Sequence, residues 1–389
     1  MPGGIVRTYP ASGGNAMLPL TPANDYTPTI LLCGGQFLED EQWGNYGFPY
    51  IDTWTVAASA DCQRITPEPQ DGSSPVYIQD DNLPTGRTMG QFIALPDGTF
   101  LFINGGTYGT AGYSQTTLTT TTFGAMPYGE SLATGPVGQP AIYDPNAPLG
   151  SRWSTAGLSS SNIPRLYHSS AVLLPDGSVM VAGSNPNIDV NLTTVYPTTY
   201  IAEYFYPAYF SAKTRPVPQN IPSTLSYGGN YFDITIPSSS YSGTGNDAAA
   251  NTTIWLIRQG FSTHAMNMGQ RIMQLNNTYT VQSNGTIILH TAQLPPNANL
   301  FQPGPAFVFV TINGIPSNGT YVIIGNGVVG TQPTAPASAL PPIVLSTASN
   351  GSSNTTSNGK GKNDATLNHS GSIHFPLLAA AVAVAVALL

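Results

Sequence analysis

The chain has 389 residues, of which only 8% are charged, and its formal net charge is −8. Gly (41), Pro (35) and Tyr (20) are abundant and Ser, Thr and Asn dominate the polar set. That composition suits an all-β, turn-rich protein long enough for two or more domains and argues against a helical one; with no basic cluster, it also argues against a nucleic-acid partner.

The chain opens with "MPGGIVRTYPASGGNAM", which has neither the basic start nor the apolar core of a secretion signal. Apolar runs ending in glycine then recur as "TILLCGG" (29–35), "LPDGTFLFINGG" (95–106) and "LPDGSVMVAGS" (174–184). The last two follow partner strands, so "TMGQFIALPDGTFLFINGG" and "LYHSSAVLLPDGSVMVAGS" read as β-hairpins around Pro-Asp-Gly turns. Hairpins repeated at irregular separations predict propeller blades of the kelch kind, with Thr-, Gly- and Tyr-rich segments as the loops between them. Cys33 and Cys62, the two cysteines, lack Cys-x-x-Cys spacing and read as one structural disulfide, a metal site being the weaker alternative. Closing a loop of that length contributes about 3–4 kcal/mol in a chain-entropy treatment.

Near residue 210 the texture changes. "KTRPVPQNIPSTLSYGGNYFDITIPSSS" and the apolar runs after it supply short strands at the spacing of an immunoglobulin-type sandwich. From 331 to 372 the chain turns Pro-rich and then Ser/Thr/Asn-rich, which predicts a glycosylated stalk without a packed core. Asn-x-Ser/Thr sequons occur at Asn191, Asn251, Asn276, Asn284, Asn318, Asn350, Asn354 and Asn368, a set that fits a secreted glycoprotein. The final apolar stretch Phe375–Leu389 is fifteen residues long, short of the roughly twenty that span a bilayer. With a polar segment before it and small residues at Asn363-Asp364-Ala365, it has the layout of a GPI-attachment signal, a tail-anchored helix being the alternative. The expected domains are therefore an incomplete propeller over 1–210, a sandwich over 211–330, a stalk over 331–372 and an anchor signal over 373–389. The tail calls for secretion and the opening lacks a signal, so the expectation is that Met1 is an internal methionine of a longer protein.

The chain has five histidines. His369 and His374 lie in the stalk and tail, and His290 in "IILHTAQL" reads as strand surface or packing. His168 and His264 remain, the first preceded by Tyr167, the second in the polar, glycine-bracketed loop "GFSTHAMNMGQR". Neighbouring side chains of a regular strand point to opposite faces, so Tyr167 and His168 can meet one ligand only where the backbone is irregular. Arg87 to Pro96 is nine positions and Arg165 to Pro175 is ten, and this extra residue predicts a bulge or distorted strand start at 166–170.

"IPRLYHSSAVLLPDGSVMVAGSNPN" together with "GFSTHAMNMGQR" resembles the copper-radical oxidases, the family of galactose oxidase and glyoxal oxidase. "LPLTPANDYTPTILLCGG", "YDPNAPLGSRW", "RPVPQNIPSTLSYGG" and "FQPGPAFVFVTINGIPS" are most similar to the glyoxal oxidase branch, and the resemblance covers roughly residues 5–330. It implies a kelch propeller followed by an immunoglobulin-like domain that sends a loop into the propeller axis. Tyr167 resembles the family's axial tyrosine, a proton acceptor and ligand; His168 and His264 resemble the two equatorial imidazoles. One copper ion is the implied cofactor, and Cu(II) suits mixed imidazole and phenolate donors where zinc does not. The implied reaction takes a small aldehyde, or a simple alcohol, with O2 and yields H2O2.

The family also carries a tyrosine cross-linked to a cysteine, which stores the second oxidising equivalent. Both residues lie upstream of the region matched here. Cys33 lies near glycines as that cysteine does, but its flanking residues match a later blade, where it pairs with the cysteine resembling Cys62. The expectation is that the Tyr-Cys radical cofactor is absent from this chain and that radical turnover is absent with it. A monomer, held at the cell surface or in the wall by a lipid anchor, is expected. Two further readings fit the same residues: a non-catalytic surface module that binds glycan or protein through loops such as "TYGTAGYSQTTLTTTTF", and copper binding without turnover.

Overall fold

The computed structural model describes residues 1–39, 42 and 48–347. Residues 1–347 form one compact unit. Among the described residues, no helix is long and apolar enough to cross a membrane. The tail, the outer stalk and the sequons Asn350, Asn354 and Asn368 lie outside the described residues.

The N-terminal part is built of antiparallel meanders. The first joins β1 (Gly14–Met17), β2 (Ile30–Cys33), β3 (Cys62–Ile65) and β4 (Tyr77–Gln79) in that order. The second uses β5 (Gln91–Ala94) and β6 (Phe100–Ile103); after a separate hairpin of β7 (Gly106–Tyr113) and β8 (Ser131–Pro136) it is completed by β9 (Ala141–Tyr143) and β10 (Trp153–Ser154). The third has three strands, β11 (Ser169–Leu173), β12 (Val179–Gly183) and β13 (Glu203–Phe205). The leading strand β5 lies against both β1 and β11, so consecutive sheets meet at their first strands as propeller blades do. Cys33 and Cys62 face each other across β2 and β3 and form the disulfide.

Each blade begins with an arginine, Arg7, Arg87 or Arg165, and all three are buried. Arg7 pairs with Asp61 at 2.5 Å and Arg165 with Glu203 at 2.7 Å, both acids at the start of the third strand. The middle blade has Gln139 near that place. Arg87 reaches the carbonyls of Asn104 and Gln139 at 3.5 and 3.4 Å and lies over the Phe102 ring. Burial without a carboxylate pushes the Arg87 guanidinium down to about 10.

The C-terminal part adds β14 (Thr224–Leu225), β15 (Tyr227–Gly229), β16 (Phe232–Ile236), the short α1 (Gly245–Ala250), β17 (Thr252–Arg258), and the paired β18 (Phe261–Thr263) and β19 (Met266–Met268). Next come β20 (Arg271–Leu275), β21 (Asn277–Val281), β22 (Ile287–Thr291), β23 (Gly304–Ile312), β24 (Ile315–Pro316), β25 (Thr320–Ile324) and β26 (Thr334–Ala337). One sheet runs β14-β25-β23-β17-β20 and another β16-β22-β21. Their inner faces share a core that includes Ile234, Leu256, Met273, Leu289 and Val308, all fully buried. With no long helix among the described residues and all main sheets antiparallel or mixed, the fold is the all-β propeller-and-sandwich architecture that the hairpins and the change of texture near 210 predict. His290 bonds Asp233 at 2.7 Å and Thr280 at 3.0 Å on a sandwich face.

The composition of 331–372 predicts no packed structure, yet residues 334–346 lie along the sandwich. β26 pairs with β15, the Val281 amide donates to the Val344 carbonyl at 2.8 Å, and Asn246 bonds both main-chain groups of Ser346. Edge pairing uses main-chain groups, so it requires none of the apolar side chains whose scarcity drives the stalk reading.

The Pro-Asp-Gly turns position the two parts. The Pro96 carbonyl accepts from Thr311 Oγ1, and the Pro175 carbonyl from the Gly319 amide at 2.7 Å. Gly98 sits at φ 87, and a Cβ there would lie 2.7 Å from the Trp255 ring, so the turn's glycine serves both the backbone and the close approach. Trp255, Ile257, Ile272 and Phe309 join Phe92, Phe100, Phe102 and Tyr143 in one core.

Candidate metal centre

The Tyr167-His168 pair sits on a turn that leads into β11. The Ser169 amide donates to the Leu166 carbonyl at 3.1 Å, and His168 has φ 64, in the left-handed region. The expected irregularity at 166–170 is therefore a tight turn before the strand; from Ser169 to Leu173 the pairing with β12 is regular and contains no bulge. This turn brings the two rings to one side, stacked at 4.0 Å. Ser184 and Asn185 fix it: their amides donate to the His168 and Tyr167 carbonyls at 3.2 and 2.8 Å. His168 Nδ1 donates to the Asn185 carbonyl at 2.8 Å. A carbonyl can only accept, so Nδ1 carries the hydrogen and Nε2 keeps its lone pair.

His264 stands at the tip of the β18–β19 hairpin. Both turn residues have positive φ, 53 at His264 and 58 at Ala265, as a type I′ turn requires. The hairpin lies on the leading strands of all three blades, β1, β5 and β11. Fully buried Gln91 is the central tie: Nε2 donates to the Ser169 carbonyl at 2.9 Å and to Ser262 Oγ at 3.2 Å, while Oε1 accepts from the Ala171 amide. On the other leg, Asn267 Nδ2 donates to the Phe92 carbonyl at 2.8 Å. His264 Nδ1 meets the hydroxyl of Thr263 at 2.8 Å, and Nε2 has no hydrogen-bond partner among the described residues.

Tyr167, His168 and His264, distant in sequence, thus line one cleft of about 380 Å³ together with Ser169, Ser170, Ser262, Thr263 and Ala265. Tyr167 is buried, and both imidazoles are exposed to the cleft side of the molecule. Among the described residues, no charged side chain lines it. Two aromatic residues that sequence reasoning missed flank it. The Tyr9 ring meets His264 edge-on at 5.2 Å and lies 6.4 Å from Tyr167; Tyr113 lies 6.3 Å from Tyr167 and 6.2 Å from His168. The signal for Tyr9 is that "RTYPASGG" opens a blade with a buried arginine, as "RTMG" and "RLYH" do. A larger cavity, about 460 Å³, opens elsewhere between Val181, Arg165 and the 156–163 loop and holds none of these residues.

Among the described residues, no group of three or more His, Cys, Asp or Glu could hold a metal. A metal in this cleft would depend on two imidazole nitrogens and phenolic oxygen. That donor set fits Cu(II), which favours mixed nitrogen and oxygen ligands, and is poor for zinc or calcium.

Residues 1–209 match a family profile described as the glyoxal oxidase N-terminus, and residues 215–324 one described as the galactose oxidase-like early set domain. The chain belongs to the glyoxal oxidase family. Among glyoxal oxidase relatives, aldehyde oxidase GLOX1 of Arabidopsis thaliana is 33% identical over 336 residues, covering 83% of this chain and 49% of the relative. Aldehyde oxidase GLOX of Vitis pseudoreticulata is 32% identical over 320 residues, covering 81% and 54%. A fungal alcohol oxidase of the AA5 family, solved in complex with copper, superposes with a TM-score of 0.57 at 18% identity over 81% of this chain and 54% of that one, a likeness of fold. The chain spans about half the length of the glyoxal oxidase relatives it matches.

Proposed function

We propose that this chain carries the Tyr167, His168 and His264 part of a copper-radical oxidase centre of the glyoxal oxidase type. The observation that carries this reading is the cleft shared by the Tyr167-His168 turn and the His264 hairpin, with neither Nε2 bonded by any described residue. The reaction is RCH(OH)2 + O2 → RCOOH + H2O2, the aldehyde entering as its hydrate. Copper held by His168, His264 and Tyr167 would supply Lewis acidity and one-electron redox chemistry. Tyr167, as phenolate, takes the hydroxyl proton of the substrate at its phenolic oxygen. The hydroxyls of Ser169, Ser170, Ser262 and Thr263 offer donors and acceptors to a small hydrated substrate, with the Tyr9 and Tyr113 rings packed against His264 and His168 beside it.

The radical Tyr-Cys pair belongs, in this reading, to residues outside the chain. Its support is that the two cysteines, Cys33 and Cys62, are bonded to each other and so are closed to a thioether with tyrosine. The reading extends to a secreted glycoprotein with a lipid anchor. Exposure of Asn251, Asn276, Asn284 and Asn318 supports the first part, and the sequence of the tail supports the second.

Cu(II) titrated into this chain should give an electron paramagnetic resonance spectrum with hyperfine coupling to two imidazole nitrogens, and His264→Ala should remove one. A longer form that includes upstream residues should release peroxide with glyoxal or methylglyoxal, and His264→Ala should abolish it. Copper held without imidazole coupling, or peroxide output unchanged by His264→Ala, overturns the assignment.

A further inference from the structure

We infer that Tyr9 and Ser12 are positioning residues: together they clamp the tip of the His264 hairpin so that its imidazole is aimed before any metal arrives. The inference rests on the copper reading above and adds residues that the reading does not use.

The two legs of the hairpin are tied by Gln91 and Asn267, but the tip extends beyond those ties. Its turn residues hold left-handed backbone, a conformation that L residues keep only when surroundings impose it. Within the hairpin, His264 has one side-chain partner, Thr263, which moves with it. What meets the tip from the propeller side is the segment 9–12. Buried Ser12 donates from Oγ to the His264 carbonyl at 2.9 Å, securing the turn's main chain. The Tyr9 ring meets the imidazole edge-on at 5.2 Å with an interplanar angle of 81°, a favourable aromatic arrangement that fixes the ring's direction. Tyr9 also stands 6.4 Å from Tyr167, so one side chain contacts the groups that supply the oxygen and one of the nitrogens.

The clamp is itself rigidly held. The Pro10 and Ser12 carbonyls accept from the Ala111 and Met89 amides at 2.8 and 2.7 Å, and the Ala11 carbonyl accepts from Thr88 Oγ1 at 2.6 Å. Segment 9–12 therefore takes its position from the middle blade and passes it to a hairpin that comes from the sandwich. Ligands held in advance need no reorganisation when the metal binds.

The test uses this chain with Tyr9→Ala, Ser12→Ala and Tyr9→Phe, each compared by circular dichroism to select folded protein. Two measurements are made: imidazole nitrogens coupled to bound Cu(II), and hydrogen exchange of residues 261–268 in the metal-free protein. Tyr9→Ala should lower the coupled nitrogens from two to one, weaken Cu(II) binding at least tenfold and raise exchange at 261–268, with Ser12→Ala acting in the same direction. Tyr9→Phe keeps the ring and should restore both readouts, and the exchange rise in Tyr9→Ala should be confined to 261–268, where a general loss of stability would raise exchange throughout. Two coupled nitrogens in Tyr9→Ala overturn the clamp. If the unmodified chain shows no imidazole coupling, the copper reading fails and exchange decides the clamp alone: unchanged exchange at 261–268 overturns it, and a rise confined to 261–268 and reversed by Tyr9→Phe supports it.

Discussion

His168, His264 and Ala265 hold left-handed backbone at φ 64, 53 and 58, each at a cost of about 1–3 kcal/mol that the surrounding fold offsets. Strain of this kind gathers where side chains must be aimed, and here it falls on both imidazoles of the cleft. Asn visits this region more readily than most L residues, because its short polar side chain can bond locally. His264→Asn should therefore leave thermal stability unchanged or slightly raised while removing one imidazole from bound Cu(II); a melting temperature lowered by several degrees would show that the ring itself holds the tip. This local conflict also marks where sequence reading runs out. "STHAMN" has neither Asn-Gly nor Asp-Gly at its centre, so local preference signals a loop; docking on three blades imposes the hairpin instead. The irregular backbone at Tyr167 and His168 was legible because the segment is one residue longer than its counterpart in the middle blade, while their grouping with His264 rested on the family resemblance. Tyr9 was legible only as part of a blade start, since the arginine motif before it says nothing of a partner about 250 positions away.

At the scale of the element, the three blade starts are variations on one design. Arg7 and Arg165 have carboxylates, whereas Arg87 is buried among carbonyls, its guanidinium pushed down to about 10 by burial. A lowered cation opposes folding at every pH below the folded value, and the penalty is relieved only between about 10 and the ordinary arginine range. Gln139, whose main-chain carbonyl accepts from Arg87 while its side chain bonds Leu158 and Ser160, lies where the other blades place their acid. Gln139→Glu exchanges the side-chain amide bonds to Pro140 and Leu158 for a carboxylate turned to Arg87, and should stabilise the protein by up to about 1 kcal/mol at pH 7, read as a higher urea midpoint, since charge-assisted bonds exceed neutral ones. Arg87→Met should remove most of that gain; an equal gain from Gln139→Glu in the Arg87→Met background would refute the pairing. The hairpins themselves were readable from their Pro-Asp-Gly turns. Their destination was not, because turn chemistry fixes a bend and says nothing of the Trp255 or Thr311 surface it meets.

Across the whole molecule, the first two blades are joined by a buried carboxylate. Asp80, fully buried, accepts from Arg64, from Arg152 at 2.8 Å and from the Tyr143 hydroxyl at 2.8 Å. Burial alone would raise this carboxyl, but the bonds from Arg64, Arg152 and Tyr143 outweigh it and hold it below the usual range. A depressed carboxylate contributes stability that is complete above about pH 4 and is lost as pH falls through its folded value. Denaturant midpoints should therefore fall below pH 4, and Asp80→Asn should flatten that fall while costing about 3 kcal/mol at neutral pH, because two guanidiniums lose their counter-charge. A decline of unchanged steepness in Asp80→Asn would assign acid sensitivity to other groups. The all-β class and the order of propeller before sandwich were legible in the repeated hairpins and the change of texture near 210. The single core running from Phe92 to Phe309 was not, since alternation shows that a strand has an apolar face and leaves open what covers it.

The cleft is stitched from positions 9, 12, 113, 167, 168 and 264, and the last of these arrives on a strand pair that rests on all three blades. During synthesis, the blades leave the ribosome well before that strand pair does, and a nascent polypeptide lacking it offers one imidazole where the finished one offers two. On the copper reading proposed above, metal capture would wait until the C-terminal half has folded back, and an unfinished chain would be spared a redox-active ion.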